Sequence, residues 1–411
     1  MQALQRVDSA LGGLACALLQ PLRWLPTRPQ EHPSRKVLAM KFWGLGSLQL
    51  LTPAVASLRR KHPFAELTFL TLESNREFVE RLGVFDRVLT LDVRGAGWAR
   101  LALRIRKLLA ELRSHGYDVV YDFEFFTRFS AIVALATGAP RRHGFESEKV
   151  WRGSFHTDRF NFNRYWHVAR NFRVLAGGEN GMNVTAYDTK PLRFDERDEA
   201  RAFDVLKSCG VDPEAGFAVL NVNAGELSLE RRWPPSMFIE LAQRLIAQQD
   251  WSIALIGSRS EFDYTEAIRV RIGSPRVGNL AGKLATPELA AVLAQAAVVV
   301  SNDSGPMHVA AAMGAPTLGL FGPETPVMYG PIGLRARALY RPPPCSPCIN
   351  VHDNKRSSCI FGEPQCLVGL SVEEVHEAAV ALADDRGFEL DRAPRRLPRS
   401  DPRGDAAGPR G

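Results

Sequence analysis

The sequence has no apolar run of the roughly 18–20 residues that a helical bilayer span requires. Its longest run, 10–19, has about ten. No secretory leader is expected, because Asp8 sits beside Arg6 and Leu-Gln-Pro follows the apolar run where small residues are wanted. The chain is also poor in cysteine, with 6 in 411 residues, so it is no disulfide-stapled mini-protein. Gly and Pro, 33 and 27, are too few for a collagen or a low-complexity chain. Finally, the body lacks a charge of one sign. The formal net charge is +7, but residues 1–36 and 391–411 carry +3 each, leaving about +1 between them. Basic tails are weak support for a nucleic-acid partner, and none is expected.

What remains is ordinary globular composition, 45% hydrophobic and 24% charged, at a length that fits two domains or three. Strand and helix patterns alternate. Strands are expected at 37–40, 67–70, 87–91 and 118–123, with helical spacing between them over 48–58, 75–82, 98–112 and after the last over 128–137. Residues 141–195 read as irregular, aromatic and basic. The alternation then restarts, with strands at 217–222, 252–256, 297–301 and 317–320 and helices at 200–208, 237–248, 261–271, 287–296 and 307–313. The fold class is therefore α/β: two Rossmann-like, doubly wound domains, 36–190 and 191–384, facing each other across a cleft. Beyond 384 the Pro/Arg/Gly/Asp composition cannot bury a core and is expected to be disordered. Within 1–35, Leu4, Val7, Leu11, Leu14 and Leu18 share one helical face that Pro21 ends. This helix either packs on the body or lies on a membrane surface, with Arg23 and Trp24 at the headgroups.

Three loops could carry chemistry. Phe42-Trp43-Gly44-Leu45-Gly46-Ser47 joins a strand to a helix. Its Gly-x-Gly allows a tight turn and close approach of backbone N–H groups to a ligand, or is a plain βα turn. Ser301-Asn302-Asp303-Ser304-Gly305-Pro306-Met307-His308 runs from an apolar strand into a Gly-Pro helix start. Pro suits the first helical turn, where its missing N–H costs nothing. Free N–H groups and the positive helix end then form a phosphate site, with Ser304 and His308 as donors and Asp303 accepting from sugar hydroxyls. Phe321-Gly322-Pro323-Glu324 opens on the same sheet edge. Asn223-Ala224-Gly225, followed by Ser228 and Arg231-Arg232-Trp233-Pro234, also follows a strand, and an arginine there can pair with phosphate oxygens.

These motifs, with Lys41-Phe-Trp-Gly-Leu-Gly46 and Asn279-Leu-Ala-Gly-Lys283, resemble glycosyltransferase family 9, the ADP-heptose:lipopolysaccharide heptosyltransferases and their relatives, over about residues 36–383. The resemblance implies a GT-B fold with the acceptor on the N-terminal domain and the nucleotide sugar mainly on the C-terminal one. It implies inverting transfer without a metal ion or other cofactor. Carried over, Gly46, Asp303, Ser304, Gly305 and His308 would hold the donor. Arg231 stands where the family commonly has a phosphate-binding Lys, with Ser228 beside it. Glu261, four residues after Gly257, stands where an acid holds the ribose hydroxyls. The expected activity is transfer of a heptose or related sugar to a lipopolysaccharide core or similar glycan. The expected setting is a monomer peripheral to the cytoplasmic face of a bacterial inner membrane. Use of another NDP-hexose, or a non-catalytic sugar-nucleotide binder, are the alternative readings.

One position departs from the family. Where many members carry the Asp that deprotonates the acceptor, this chain has Ser47, and a hydroxyl with no base beside it cannot take that proton at neutral pH. Asp122 and Glu124 are the substitutes expected here. They share one face at the C-terminal end of a strand, and Glu124 has the longer reach. The stretch 141–173, with eight Lys/Arg against three Asp/Glu, reads as a platform for an anionic glycolipid acceptor, starting at Arg141, Arg142 and His143. Cys345, Cys348, Cys359 and Cys366 allow either a tetrahedral structural zinc or free or redox-active thiols.

Overall fold

The computed structural model of the chain describes residues 2–24, 33–95, 97–125, 127–146, 150–178, 184–225, 228–349 and 358–384. The tail expected to be disordered lies outside them.

Helix α1 (Gln2–Leu19) comes first. The N-terminal sheet and its helices follow as β1 (Lys36–Met40), α2 (Leu45–Gln49), α3 (Thr52–Lys61), β2 (Glu66–Leu72), α4 (Arg76–Leu82), β3 (Arg87–Leu91), α5 (Trp98–His115), β4 (Val119–Asp122), α6 (Arg128–Ala136), β5 (Arg141–Glu146), β6 (Asp158–Asn161) and α7 (Val168–Leu175). The second series is α8 (Glu196–Ser208), β7 (Phe217–Asn221), α9 (Pro235–Gln249), β8 (Ser252–Leu255), α10 (Phe262–Ile272), β9 (Val277–Asn279), α11 (Thr286–Gln295), β10 (Val298–Asn302), α12 (Gly305–Met313), β11 (Thr317–Phe321), α13 (Pro326–Tyr329), β12 (Ala336–Tyr340), α14 (Gln365–Val368) and α15 (Val372–Asp384).

Each series builds one six-stranded parallel sheet. The orders are β3-β2-β1-β4-β5-β6 and β12-β11-β10-β7-β8-β9. Numbered within each series, both have the doubly wound order 3-2-1-4-5-6. That order reverses direction between its first and fourth strands and leaves a crevice at their C-terminal ends. In the first sheet the crevice lies beyond β1 and β4, and in the second beyond β7 and β10. Val37–Met40 and Val298–Val300 are almost without solvent contact, as central strands covered by helices on both faces must be. The largest apolar core is continuous from β1 and β2 (Val37, Phe69) through Leu48 and Leu51 to Ala291 and Met307, so the two units share one buried seam.

The basic stretch after 141 is not irregular as expected: it supplies β5, β6 and α7. Helix α1 lies on α6 by a face the leucine spacing does not name. Asp8 accepts the first backbone N–H groups of α6 from Arg128 (3.1 Å) and Phe129 (2.7 Å), and Cys16 is fully buried with Ala131 and Phe155. Leu11, Leu14 and Leu18 point away, 59–72% exposed.

Candidate active site

Both crevices lie where α/β ligand sites form, yet the chain treats them differently. At the first, Glu124 follows β4 and turns back over the end of β1. Its Oε1 accepts the backbone N–H groups of Phe42 (2.6 Å) and Trp43 (2.9 Å), and its Oε2 faces Lys41 Nζ at 3.6 Å. Lys41 also sits over the ring of Phe125, 4.4 Å from its centroid. Burial pushes the Lys41 ammonium below its ordinary range, and the Glu124 charge works against that shift. A carboxylate from within the protein thus fills the place an anionic ligand would take.

This geometry bears on the expectation that Glu124 or Asp122 is the base: both carboxylates are engaged within the N-terminal domain. Glu124 is buried and spent on Lys41 and two amides. Asp122 is fully buried, its Oδ1 accepting from Glu124 N (3.0 Å) and its Oδ2 from Ser130 (2.9 Å), His156 (3.1 Å) and Arg152. Burial alone would raise the Asp122 carboxyl, but Arg152, with His156 and Ser130, holds it below the ordinary carboxylate range. The two side chains also part: Asp122 turns to α6 and Arg152, and Glu124 to β1. Sequence reasoning gave Lys41 no role and missed Arg152 and His156, because a lone basic residue on a strand or loop gives no sign of which acid it will meet.

The second crevice is built differently. Asn302, at the end of β10, accepts from Trp233 N (2.9 Å), pinning the loop that leaves β7 against β10. Trp233 is completely buried and donates its indole N–H to Leu370 O (3.0 Å). Arg231 is thereby held between the two crevice loops. It donates to Ala224 O (2.7 Å) on one, and to Asp303 O (2.9 Å) and Oδ2 (3.3 Å) on the other. Ser304 precedes α12 in extended conformation and makes no side-chain cap. Its hydroxyl instead accepts from Asn221 Nδ2 at 2.6 Å. Pro306 and an uncapped first turn therefore present the helix start toward the crevice. Asp303, Glu324 and Arg231 all act on the buried Tyr329. Burial pushes its phenol well up, and the two carboxylates push it further.

Gly46 and Gly305 bring the two domains together. A Cβ on Gly46 would stand 2.7 Å from His308 Cδ2 and 3.1 Å from Gly305 Cα. No side chain fits there, so the start of α2 rests directly on the start of α12. In the same loop Gly44 has φ +84°, which only glycine adopts without strain. The Gly-x-Gly therefore does two jobs, a turn at Gly44 and a close contact at Gly46. Ser47, in the first turn of α2, is half-buried. Glu261 lies near the crevice beyond β8. Its Oε2 closes a capping box with Ser258 N and Oγ (2.8 and 2.7 Å), and Oε1 lies 3.8 Å from Arg232. The Ser228 hydroxyl is used on Glu230 (2.8 Å).

The model of glycosyltransferase family 9 (heptosyltransferase) matches residues 105–357, more than half of the chain. The chain belongs to glycosyltransferase family 9. Lipopolysaccharide heptosyltransferase 2 of Escherichia coli K12 is 24% identical over 356 residues, 84% of this chain and 98% of that protein. Lipopolysaccharide heptosyltransferase 1 of Pseudomonas aeruginosa is 34% identical over 173 residues, 40% of this chain and 48% of that protein. Among solved structures, the family 9 glycosyltransferase of Veillonella parvula superposes with a TM-score of 0.68 at 21% identity, covering 87% of this chain and 99% of that one. E. coli ADP-heptose LPS heptosyltransferase II gives 0.66 at 22%, covering 85% and 98%. These likenesses fix the fold as GT-B, the two sheets being its two Rossmann-like halves.

In this family 9 glycosyltransferase the acceptor residues expected at the start of β5 are not on the cleft. Strand C-termini line the cleft, and Arg141–His143 begin their strand at the other end. Arg142 donates to the carbonyls of Phe155 (2.8 Å) and Ala139, Arg141 pairs with Asp158 (3.2 Å), and His143 is stacked under Tyr121, centroids 4.6 Å apart. The four cysteines, which allow either zinc or free or redox-active thiols, do not form a gathered ligand set among the described residues, where no three His, Cys, Asp or Glu side chains come together as ligands. Cys345 and Cys348 are exposed, whereas Cys366 is buried, its thiol pushed up to about 11 chiefly by burial. No helix among the described residues is long and apolar enough to cross a membrane.

Proposed function

We propose that the chain transfers a heptose from an ADP-activated donor to a lipopolysaccharide core or similar cell-surface glycan, with inversion and without a metal ion. The observation that carries this reading is Arg231, held across both crevice loops beside the uncapped start of α12. Breaking the anomeric C–O bond leaves the charge on the diphosphate. A fixed guanidinium and free helix N–H groups stabilise charge that develops there without having to reorganise. Asp303 and His308 would hold the sugar and diphosphate. Glu261 retains Oε1 for the ribose hydroxyls. The filled crevice around Glu124 supports leaving the N-terminal domain to the acceptor. The names of relatives such as lipopolysaccharide heptosyltransferases 1 and 2 and a lipooligosaccharide heptosyltransferase 2 support the sugar and the acceptor class.

The same reading places the protein at the cytoplasmic face of the inner membrane. Leu11, Leu14 and Leu18 of α1, with Trp24 under the Arg23 guanidinium at 4.5 Å, form an apolar stripe with a cationic end, as an interfacial helix requires. The test is ADP release from ADP-heptose with a heptose-deficient lipid A–core acceptor, run beside UDP-glucose and GDP-mannose. Acceptor-dependent ADP release from ADP-heptose alone is the expected result. Turnover of a hexose donor instead would replace the sugar assignment.

A further inference from the structure

A cleft of about 380 Å³ opens where the loop after β6 meets the loop after α13, lined by Tyr165, Trp166, His167, Arg170, Val184 and Ile332. It joins both domains, because His167 Nε2 bonds Gly330 O at 3.0 Å. Only α13, four residues or about 6 Å of helix, separates it from Thr325 and Glu324 at the mouth of the second crevice. It is thus on the cleft side of the N-terminal sheet, where Arg141–His143 are not.

Its chemistry is specific. Among the described residues no acidic side chain lines it. Arg170 sits over Trp166, its Cζ 3.9 Å from the ring centroid, and among the described residues its buried Nε has no hydrogen-bond partner. Arg164 approaches Tyr165 at 5.9 Å, and the Tyr165 ring is 78% exposed. Aromatic faces take the C–H face of a pyranose, and a guanidinium takes a carboxylate or phosphate.

We propose that this cleft is the subsite for an anionic sugar of the acceptor, with Tyr165 and Trp166 against the ring and Arg170 on its acid group. This rests on the transferase reading above, with the donor at Arg231 and Asp303. Two kinds of sugar share the chemistry, one bearing a carboxylate and one a phosphate.

The test uses ligand-observed NMR titration of the full chain with glucuronate, glucose 6-phosphate and neutral glucose, alongside calorimetry with ADP. The expected result is that at least one anionic sugar binds at least tenfold more tightly than glucose. Arg170→Gln and Tyr165→Ala should each weaken it about tenfold or more, while ADP affinity stays within twofold. Tyr165 is exposed enough that its truncation leaves the fold intact. Which of the two anions binds identifies the acid group. Equal binding of all three sugars, or indifference to both variants, overturns the subsite. Loss of ADP binding by the unaltered chain would instead overturn the donor reading, so the two failures are distinct.

Discussion

Lys41 and Glu124 face each other at 3.6 Å, both almost without solvent, at the crevice of the N-terminal sheet. The pair, with the two amides that Glu124 accepts, makes the first half of the molecule a scaffold at the place where the second half presents Arg231. The same strand order thus ends in a buried Lys–Glu pair on one side and, on the other, in Arg231 held between the crevice loops with Asp303.

Breaking this pair leaves a buried charge, which typically costs about 3–5 kcal/mol. Glu124→Gln should therefore lower the melting temperature by several degrees, with ADP affinity within twofold of the parent. Lys41→Met added to Glu124→Gln should recover part of the loss. A kcat that falls a hundredfold with the melting temperature unchanged would return Glu124 to the role of base.

The close contact at Gly46 makes a second prediction. In Gly46→Ala the new methyl group would stand 2.7 Å from His308 Cδ2, so α2 and α12 must move apart. Turnover should fall about tenfold or more, consistent with the sensitivity of catalysis to a displacement of about 1 Å. Circular dichroism should stay that of the parent. Unchanged steady-state kinetics would show that this contact does not position the site.

Acid should destabilise the fold. Burial first, then Lys61 and Arg141, holds His62 down to about 4. Burial first, opposed by Asp158 and helped by Lys61 and Arg141, holds His143 down to about 4. In the unfolded chain both titrate near 6.5. Between those values the unfolded state binds more protons, so stability falls as pH drops from about 6.5 to 4. Thermal melts at pH 7 and 4.5 should differ by several degrees, and His143→Phe should shrink the difference. Identical melts would contradict the burial of these rings.

Helix α1 separates two roles by face. Asp8→Ala removes the acceptor for the start of α6 and should cost about 1 kcal/mol. Leu14→Ser with Leu18→Ser should leave the melting temperature unchanged but reduce co-sedimentation with phosphatidylglycerol vesicles. Undiminished co-sedimentation would show that the leucine stripe does not carry membrane binding.

The sequence was legible where one force dominates. Apolar runs such as Val298–Val300 and turn residues such as Gly305-Pro306 marked most of the central strands and the α12 start, because burial and backbone restriction act locally. Strands β5 (Arg-Arg-His-Gly-Phe-Glu) and β6 (Asp-Arg-Phe-Asn) were not, since an outer strand can pair its charges and keep no alternation. Glu124 was read as reaching into the cleft because it stands at the C-terminal end of its strand with a longer reach than Asp122. Its burial depends on Lys41, 83 residues away. Likewise Arg142 was read as part of the acceptor platform, although its guanidinium is satisfied by carbonyls inside the domain. Local pattern gives the strand, and long-range pairing decides what its charges do.

The account stands on the second crevice as the donor site, and titration calorimetry of ADP into the unaltered chain and into Arg231→Ala tests it most directly. Losing a hydrogen bond to a charged group costs roughly 1.5–3 kcal/mol, about 10–150-fold. The account predicts that the unaltered chain binds ADP and that Arg231→Ala weakens it within that range. Asp303→Ala should leave ADP bound more nearly as in the parent but weaken the intact ADP-heptose, whereas His308→Ala should weaken both. ADP affinity that is the same with and without the Arg231 guanidinium would contradict it.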